Sequence, residues 1–118
     1  MADNDNIVYI NVEEGINRVM KNISLFTRLL IKFKNDTNIN ELEAAFSGGD
    51  IEKAKTAAHT IKGLAANLSF IELYKQVMEL EAQVKDGTFN NDQLASVRKT
   101  YDVTLTEIDK VINQYAGK

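Results

Sequence analysis

Apolar residues recur every three or four positions along most of this chain, and that spacing predicts amphipathic helices. Polar residues that commonly cap helix N-termini stand ahead of the apolar stretches. The predicted caps are Asn11, Asn22, Asn38, Asp50, Ser69, and Asn90 or Asn91. Three of them have a glutamate three residues later, which is the spacing of a reciprocal capping box: Asn11 with Glu14, Asn38 with Glu41, and Ser69 with Glu72.

The apolar pattern changes phase between residues 33 and 39. Apolar positions before and after this stretch would lie on opposite sides of one continuous helix, so we predict a break in the polar run Asn35–Asn38. Gly48–Gly49 is expected to end the second piece, and Asp86–Gly87 to end a later helix in a left-handed conformation. The short helix that begins the chain has its predicted apolar side at Val12, Ile16, Val19 and Met20.

These elements predict an all-α fold. Long amphipathic helices joined by short turns lie antiparallel to their neighbours, so we expect an antiparallel up-and-down four-helix bundle with a short additional N-terminal helix. Residues 1–10 are expected to form an N-terminal tail that docks at its end, and residues 11–118 to form the domain.

The composition narrows the classes of function. The 118 residues include no cysteine, which excludes disulfides and thiolate metal sites and is typical of a cytoplasmic protein. A net charge of −3 without a basic run argues against nucleic acid as a partner. No stretch approaches about 20 apolar residues, and the polar opening is unlike a signal peptide, so no membrane association is expected. The sequence also lacks a phosphate-binding P-loop. With one histidine and no cysteine, the chain cannot supply the ligands of a typical zinc site, and it has no second histidine that could form a catalytic triad with a serine or threonine.

The single histidine, His59, is the main functional clue. On a helical wheel it lies about 130° from the centre of the apolar stripe of its helix, so it is expected to face water. Lys62 lies on one flank, and Gly63 follows one turn later, although a glycine inside a helix costs about 1 kcal/mol relative to alanine. An exposed imidazole with a nearby cation and free approach suits attack on a phosphoryl group. The alternative is an ordinary solvated surface histidine.

Glu81 is the second unusual position, because it lies almost at the centre of the apolar stripe of the next helix. It could lie at an end of the bundle and reach solvent. It could instead accept the Nδ1–H of His59 across the helix pair, which would leave Nε2 as the free nucleophile. His59 is about ten residues before the connecting turn and Glu81 about twelve after it, so the two positions lie at similar heights along antiparallel helices.

The segment Ala58–Gly63 followed by Ala66–Leu68 resembles the signature of the histidine-containing phosphotransfer domain, His-x-x-Lys-Gly with a later Asn-Leu-Gly turn. Asn11–Arg18 resembles the opening helix of that family, Gly49–Asp50 its turn into the active helix, and Leu80–Glu81 the place where members carry Glu or Gln near the imidazole. The resemblance covers roughly residues 10 to 87, and the last helix matches only in pattern. Two features depart from it: Ser69 replaces the usual glycine, and the segment from Phe33 to Gly48 is shorter than usual.

The resemblance implies a phosphorelay intermediate that takes a phosphoryl group on His59 from a receiver-domain aspartate and passes it to a response-regulator aspartate. Lys62 would balance phosphoryl charge, Gly63 would allow the receiver to approach, and Glu81 would orient the ring. The chain itself would need no cofactor, since Mg²⁺ belongs to the receiver, and it would be a phosphocarrier without an ATP-binding or autokinase module.

The expected partners are response-regulator receiver domains and a hybrid histidine kinase, and the chain is expected to be monomeric. A free-standing cytoplasmic carrier is the favoured interpretation. The alternatives are a phosphoacceptor domain cut from a larger hybrid or chemotaxis-type kinase, and a helical adaptor that binds partners without being phosphorylated.

Overall fold

The computed structural model describes residues 7–115, and within them it has six helices and no strand. The helices are α1 Val12–Arg18, α2 Ile23–Lys34, α3 Asn38–Gly48, α4 Ile51–Leu68, α5 Ile71–Lys85 and α6 Asn91–Tyr115. The predicted all-α bundle is thus confirmed. So is the predicted break, because α2 ends at Lys34 and α3 begins at Asn38.

The bundle is closed by packing between helices that follow one another and by contacts between helices further apart in the chain. α4 packs against α3 and α5, α5 packs against α6, and α2 returns to pack against α6. Four small side chains on α4 let its neighbours approach closely, and all are buried: Ala54, Ala57, Ala58 and Ala65. α1 is the additional N-terminal helix and contacts α2 and α4.

Most helix ends form as predicted. The side chains of Asn11, Asn22, Asp50 and Asn90 each accept a hydrogen bond from the backbone N–H three residues later. Gly49 and Gly87 follow α3 and α5 with φ values of +67° and +83°, a conformation that glycine adopts without steric cost. These caps depend on residues close in sequence, which explains why the sequence reveals them.

The predicted cap at Asn38 is wrong by one residue. Thr37 occupies the cap position and makes no side-chain bond, while Asn38 is already in the helix. The carboxylate of Asp36 accepts the Asn38 backbone N–H at 3.0 Å instead. Buried Tyr101 on α6 donates its hydroxyl to the same carboxylate at 3.2 Å. A contact distant in sequence thus fixes how α3 begins.

The predicted cap at Ser69 is also wrong. Ser69 ends α4 rather than starting α5, with a left-handed φ of +60°, and α5 begins at Ile71 after Phe70. The backbone N–H of Phe70 bonds the Ala65 carbonyl at 2.8 Å, which satisfies one of the last carbonyls of α4. The Ser69 hydroxyl is buried and has no hydrogen-bond partner among the described residues.

The N-terminal segment makes a hydrogen bond at the start of α5 that the Ser69 side chain does not make. The backbone N–H of Ile71 donates to the Tyr9 carbonyl at 3.0 Å, and the N–H of Asn11 donates to the Ser69 carbonyl at 2.9 Å. The end of the predicted tail therefore docks on the α4–α5 turn, whereas its residues 1–6 lie outside the described part of the chain. Because the Asn11 N–H is used in this way, Glu14 does not return the capping-box bond.

In the α1 region, the predicted place of Met20 is wrong, and the burial of Gly15 was not predicted. Met20 does not continue the apolar side of α1, because α1 ends at Arg18 and Met20 is 91% exposed with a φ of +56°. Gly15 is buried where α1 crosses the bundle. A β-carbon there would lie 2.7 Å from Cζ of Phe26, and closer still to Cε1. Only glycine allows α1 to approach this closely.

Candidate functional site

His59 lies in the middle of α4 and faces away from the core. Its neighbours Ala58 and Ile61 are buried, whereas 74% of the histidine side chain is exposed. The wheel position predicted from the sequence is therefore confirmed. The imidazole can be approached by another protein without any movement of the bundle.

Glu81 lies on α5 directly beside this ring. Its side chain is only 5% exposed, and its Oε2 lies 3.0 Å from Nδ1 of His59. Its other oxygen, Oε1, lies 2.5 Å from the ammonium nitrogen of Lys62. Of the two interpretations left open for Glu81, the structure has the contact with His59 and not a carboxylate that reaches solvent at the end of the bundle.

The electrostatics of the group follow from these contacts. Burial alone would raise the pKa of Glu81, but the hydrogen bonds from Lys62 and His59, together with the positive charges of Lys62 and Lys85, bring this pKa below its ordinary value. The hydrogen bond to Glu81 raises the pKa of Lys62. Glu81 and Lys62 are therefore both charged at neutral pH.

The charge on Glu81 determines which ring nitrogen of His59 carries the proton. An ionised carboxylate can only accept hydrogen bonds, so Nδ1 is the donor in the pair. In neutral imidazole the other nitrogen, Nε2, then has a lone pair. In its neutral form, the exposed ring therefore presents Nε2 as the nitrogen that can act as a nucleophile.

Gly63 lies one turn beyond His59 on the same helix and is exposed. A β-carbon at this position would meet no atom within 4 Å. Packing inside the chain therefore does not require glycine here. The contrast with Gly15, where a β-carbon cannot fit, indicates that glycine at position 63 serves a purpose other than packing within the chain.

Lys62 is where the structure departs from the expected arrangement of the site. The sequence placed it on a flank, free to meet an incoming phosphoryl group, but its side chain is only 24% exposed and bonds Glu81. This pair was missed, although the sequence contained a signal for it. Residues 59 and 62 are three apart on α4, so a residue opposite one of them across an antiparallel pair can reach both.

Within residues 7–115, no set of three or more His, Cys, Asp or Glu side chains is arranged to hold a metal ion. None of the helices described is long and apolar enough to cross a bilayer.

Comparison with known proteins agrees with this site. The family model of the Hpt domain matches residues 31–114, a range that contains His59, Lys62, Gly63 and Glu81. A solved structure with a similar fold is the crystal structure of histidine-containing phosphotransfer protein B (HptB) from Pseudomonas aeruginosa PAO1. The two share 18% sequence identity with a TM-score of 0.74, over 91% of this chain and 96% of the other. The search of curated proteins found no match. The chain belongs to the Hpt domain family, whose members relay phosphoryl groups with receiver domains in two-component systems.

Proposed function

We propose that His59 is the phosphoacceptor of this domain. It takes a phosphoryl group from the aspartate of one receiver domain, such as that of a hybrid histidine kinase, and gives it to the aspartate of a response regulator. The observation that carries the proposal is a ring that is 74% exposed while one of its nitrogens is bonded to a buried carboxylate. A histidine that was merely solvated would not need such a partner.

The transfer can be written with no proton gained or lost. The Nε2 lone pair attacks phosphorus, the bond between phosphorus and the aspartyl oxygen breaks, and its electron pair returns to the receiver carboxylate. The phosphorylated ring keeps its Nδ1 proton and is positively charged beside the Glu81 carboxylate. In the second transfer the nitrogen–phosphorus bond breaks, its electrons return to Nε2, and neutral imidazole is left.

The remaining residues of the site support this step without forming bonds to phosphorus. Glu81 orients the ring and holds the Nδ1 proton, and Gly63 leaves room for the loops of the receiver. The receiver supplies Mg²⁺ and most of the acidic residues of the reaction, so this chain needs no cofactor. We propose that residues 11–118 form the phosphotransfer domain, that it acts as a monomeric carrier, and that it does not bind ATP.

The test is replacement of His59 by glutamine, which keeps a polar side chain on an exposed helix face. His59→Gln is expected to abolish phosphorylation by a receiver domain charged with acetyl phosphate. The circular dichroism and melting curve should be nearly unchanged, because the ring is exposed and Glu81, the buried group that it bonds, keeps its ion pair with Lys62. Phosphate that remains on the variant, labile to acid, would refute the assignment.

The same experiment distinguishes a carrier from an adaptor. A helical adaptor would bind the charged receiver without taking its phosphoryl group, both in the native protein and in His59→Gln. A carrier loses transfer in the variant while it still binds the receiver, because most of the docking surface is unchanged.

A further inference from the structure

We infer that Lys62 acts in phosphotransfer through Glu81, as a positioning residue, rather than by binding the phosphoryl group. This inference rests on the proposed function of His59. It concerns how the neutral ring is kept with its proton on Nδ1, which is the form that can attack phosphorus.

The geometry links the Lys62 ammonium, through the Glu81 carboxylate, to Nδ1, the ring nitrogen that does not react. Glu81 bonds Nδ1 through Oε2 and Lys62 through Oε1, so the carboxylate lies between the lysine and the ring. The phosphoryl group would be attached to Nε2, across the five-membered ring from this cluster. The contact that Lys62 makes is thus with the carboxylate that holds Nδ1, not with the nitrogen that reacts.

Glu81 depends on this cation because of its burial. A carboxylate that is 5% exposed loses most of its hydration, so without a charged partner its protonated form would be favoured. Protonated Glu81 could donate a hydrogen bond to Nδ1, which would move the ring proton to Nε2. The Nε2 lone pair would then be lost, and with it the nucleophile. Lys62 prevents this by keeping Glu81 ionised.

Few other charges could replace Lys62. His59 and Lys62 face Glu81 from α4, and Lys85 acts on it from the next turn of α5. From α6, the other helix that packs on α5, no side chain in the described part of the chain forms an ion pair with Glu81. Lys62 is thus the cation in direct contact with the carboxylate.

A double-mutant cycle of Lys62→Met and Glu81→Gln separates the two possible roles of Lys62. The measured quantity is the single-turnover rate of transfer from a charged receiver. If Lys62 acts through Glu81, Lys62→Met should slow transfer on the order of tenfold, the scale found when an orienting partner is lost. In the Glu81→Gln background, where a neutral amide needs no counter-ion, Lys62→Met should change the rate by less than about twofold. An undiminished effect of Lys62→Met in that background would overturn the inference in favour of direct contact with the phosphoryl group.

Lys55→Met is the matched control. Lys55 is one turn before His59 on α4 and pairs with Glu52 rather than Glu81, so its replacement removes the same charge from the same helix. This change should alter the transfer rate by less than about twofold in either background. An effect as large as that of Lys62→Met would mean that general positive charge, not the Glu81 contact, is responsible.

A second measurement does not depend on transfer at all. Because the chain has one histidine, its ring nitrogens give a single set of ¹⁵N signals, and their shifts report which nitrogen carries the proton. Lys62→Met should move the neutral ring from the Nδ1–H form towards a mixture, whereas Lys62→Arg should keep the native form. Native ring shifts in Lys62→Met would overturn the inference even if that variant transferred slowly.

The failure of this inference and the failure of the proposed function can be told apart. If His59 is not the phosphoacceptor, either His59→Gln still takes up phosphate or, for an adaptor, the native protein takes up none, whatever the ring shifts show. If His59 is the acceptor but Lys62 acts directly on the phosphoryl group, His59→Gln is inactive. Lys62→Met then slows transfer equally with Glu81 present and in the Glu81→Gln background.

Discussion

At the scale of single residues, Gly15 and Gly63 differ in the space that the structure leaves for a side chain. Gly15 is buried against Phe26 and the Leu68 carbonyl, whereas Gly63 has open space where a side chain would begin. Gly15→Ala is therefore expected to destabilise the protein by about 1–3 kcal/mol through overpacking. Gly63→Ala should stabilise it by up to about 1 kcal/mol, because alanine favours the helix. Urea unfolding of both variants measures this, and effects of the same sign would contradict it.

The open space at Gly63 leads to a prediction about binding. Gly63→Gln should leave the fold intact but weaken the affinity for a receiver domain and slow transfer, since a long side chain would stand one turn from the phosphoryl group. The control is Gly63→Ala, which adds one carbon and should transfer more nearly like the native protein. Native affinity and rate in Gly63→Gln would show that Gly63 has no role in docking.

At the scale of helices, the α4–α5 turn contains a residue that does not suit its conformation. Ser69 has a φ of +60°, which costs a residue with a β-carbon roughly 1–2 kcal/mol, and its hydroxyl is buried without a partner in the described residues. Ser69→Gly removes both penalties but makes the unfolded chain more flexible, so a net stabilisation of about 0.5–1 kcal/mol is expected.

Ser96→Gly on α6 is the control for this prediction. Ser96 is exposed inside a regular helix, so the same substitution should destabilise the protein there, by about 0.5 kcal/mol. Thermal or urea unfolding gives both values. If Ser69→Gly were as destabilising as Ser96→Gly, the left-handed conformation would not be the main energetic cost at position 69.

At the scale of the whole molecule, the ion pair of buried Glu81 with partly exposed Lys62 makes stability depend on pH. The pKa of Glu81 is below its ordinary value of 4.5, so the unfolded chain takes up the proton first as pH falls. The resulting stabilisation is complete above that ordinary value and is lost as pH falls through the lower native pKa. The pKa of Lys62 is above its ordinary value of 10.5, so its contribution is complete below that value and is lost at higher pH.

Glu81→Gln tests the predicted loss of stability at acid pH. The difference in free energy of unfolding between the native protein and the variant should be largest near neutral pH and should shrink as pH falls below 4.5. Glu79→Gln removes an exposed glutamate from the same helix and serves as the control for charge alone. A difference for Glu81→Gln that stays constant from about pH 7 to about pH 3 would contradict the conclusion that Glu81 is ionised in the native protein.

The sequence by itself determined the features that depend on neighbours along the chain. The helical period, the caps at Asn22 and Asp50, and the stop at Gly49 all involve contacts within a few residues, so they could be predicted. The exposure of His59 followed from the same period, because its angle from the apolar stripe is a property of one helix. The height match of His59 and Glu81 required only one short turn between two helices.

Only the tertiary structure decided what depends on elements far apart in sequence. Tyr9 and Asn11 bond the α4–α5 turn, which displaced the predicted cap at Ser69, and Tyr101 holds the carboxylate that begins α3. The pairing of Lys62 with Glu81 belongs to the same class: each was singled out in the sequence, but their contact depends on how α4 and α5 are rotated against each other. Local spacing fixes which residues share a face, whereas packing between faces determines which charges meet.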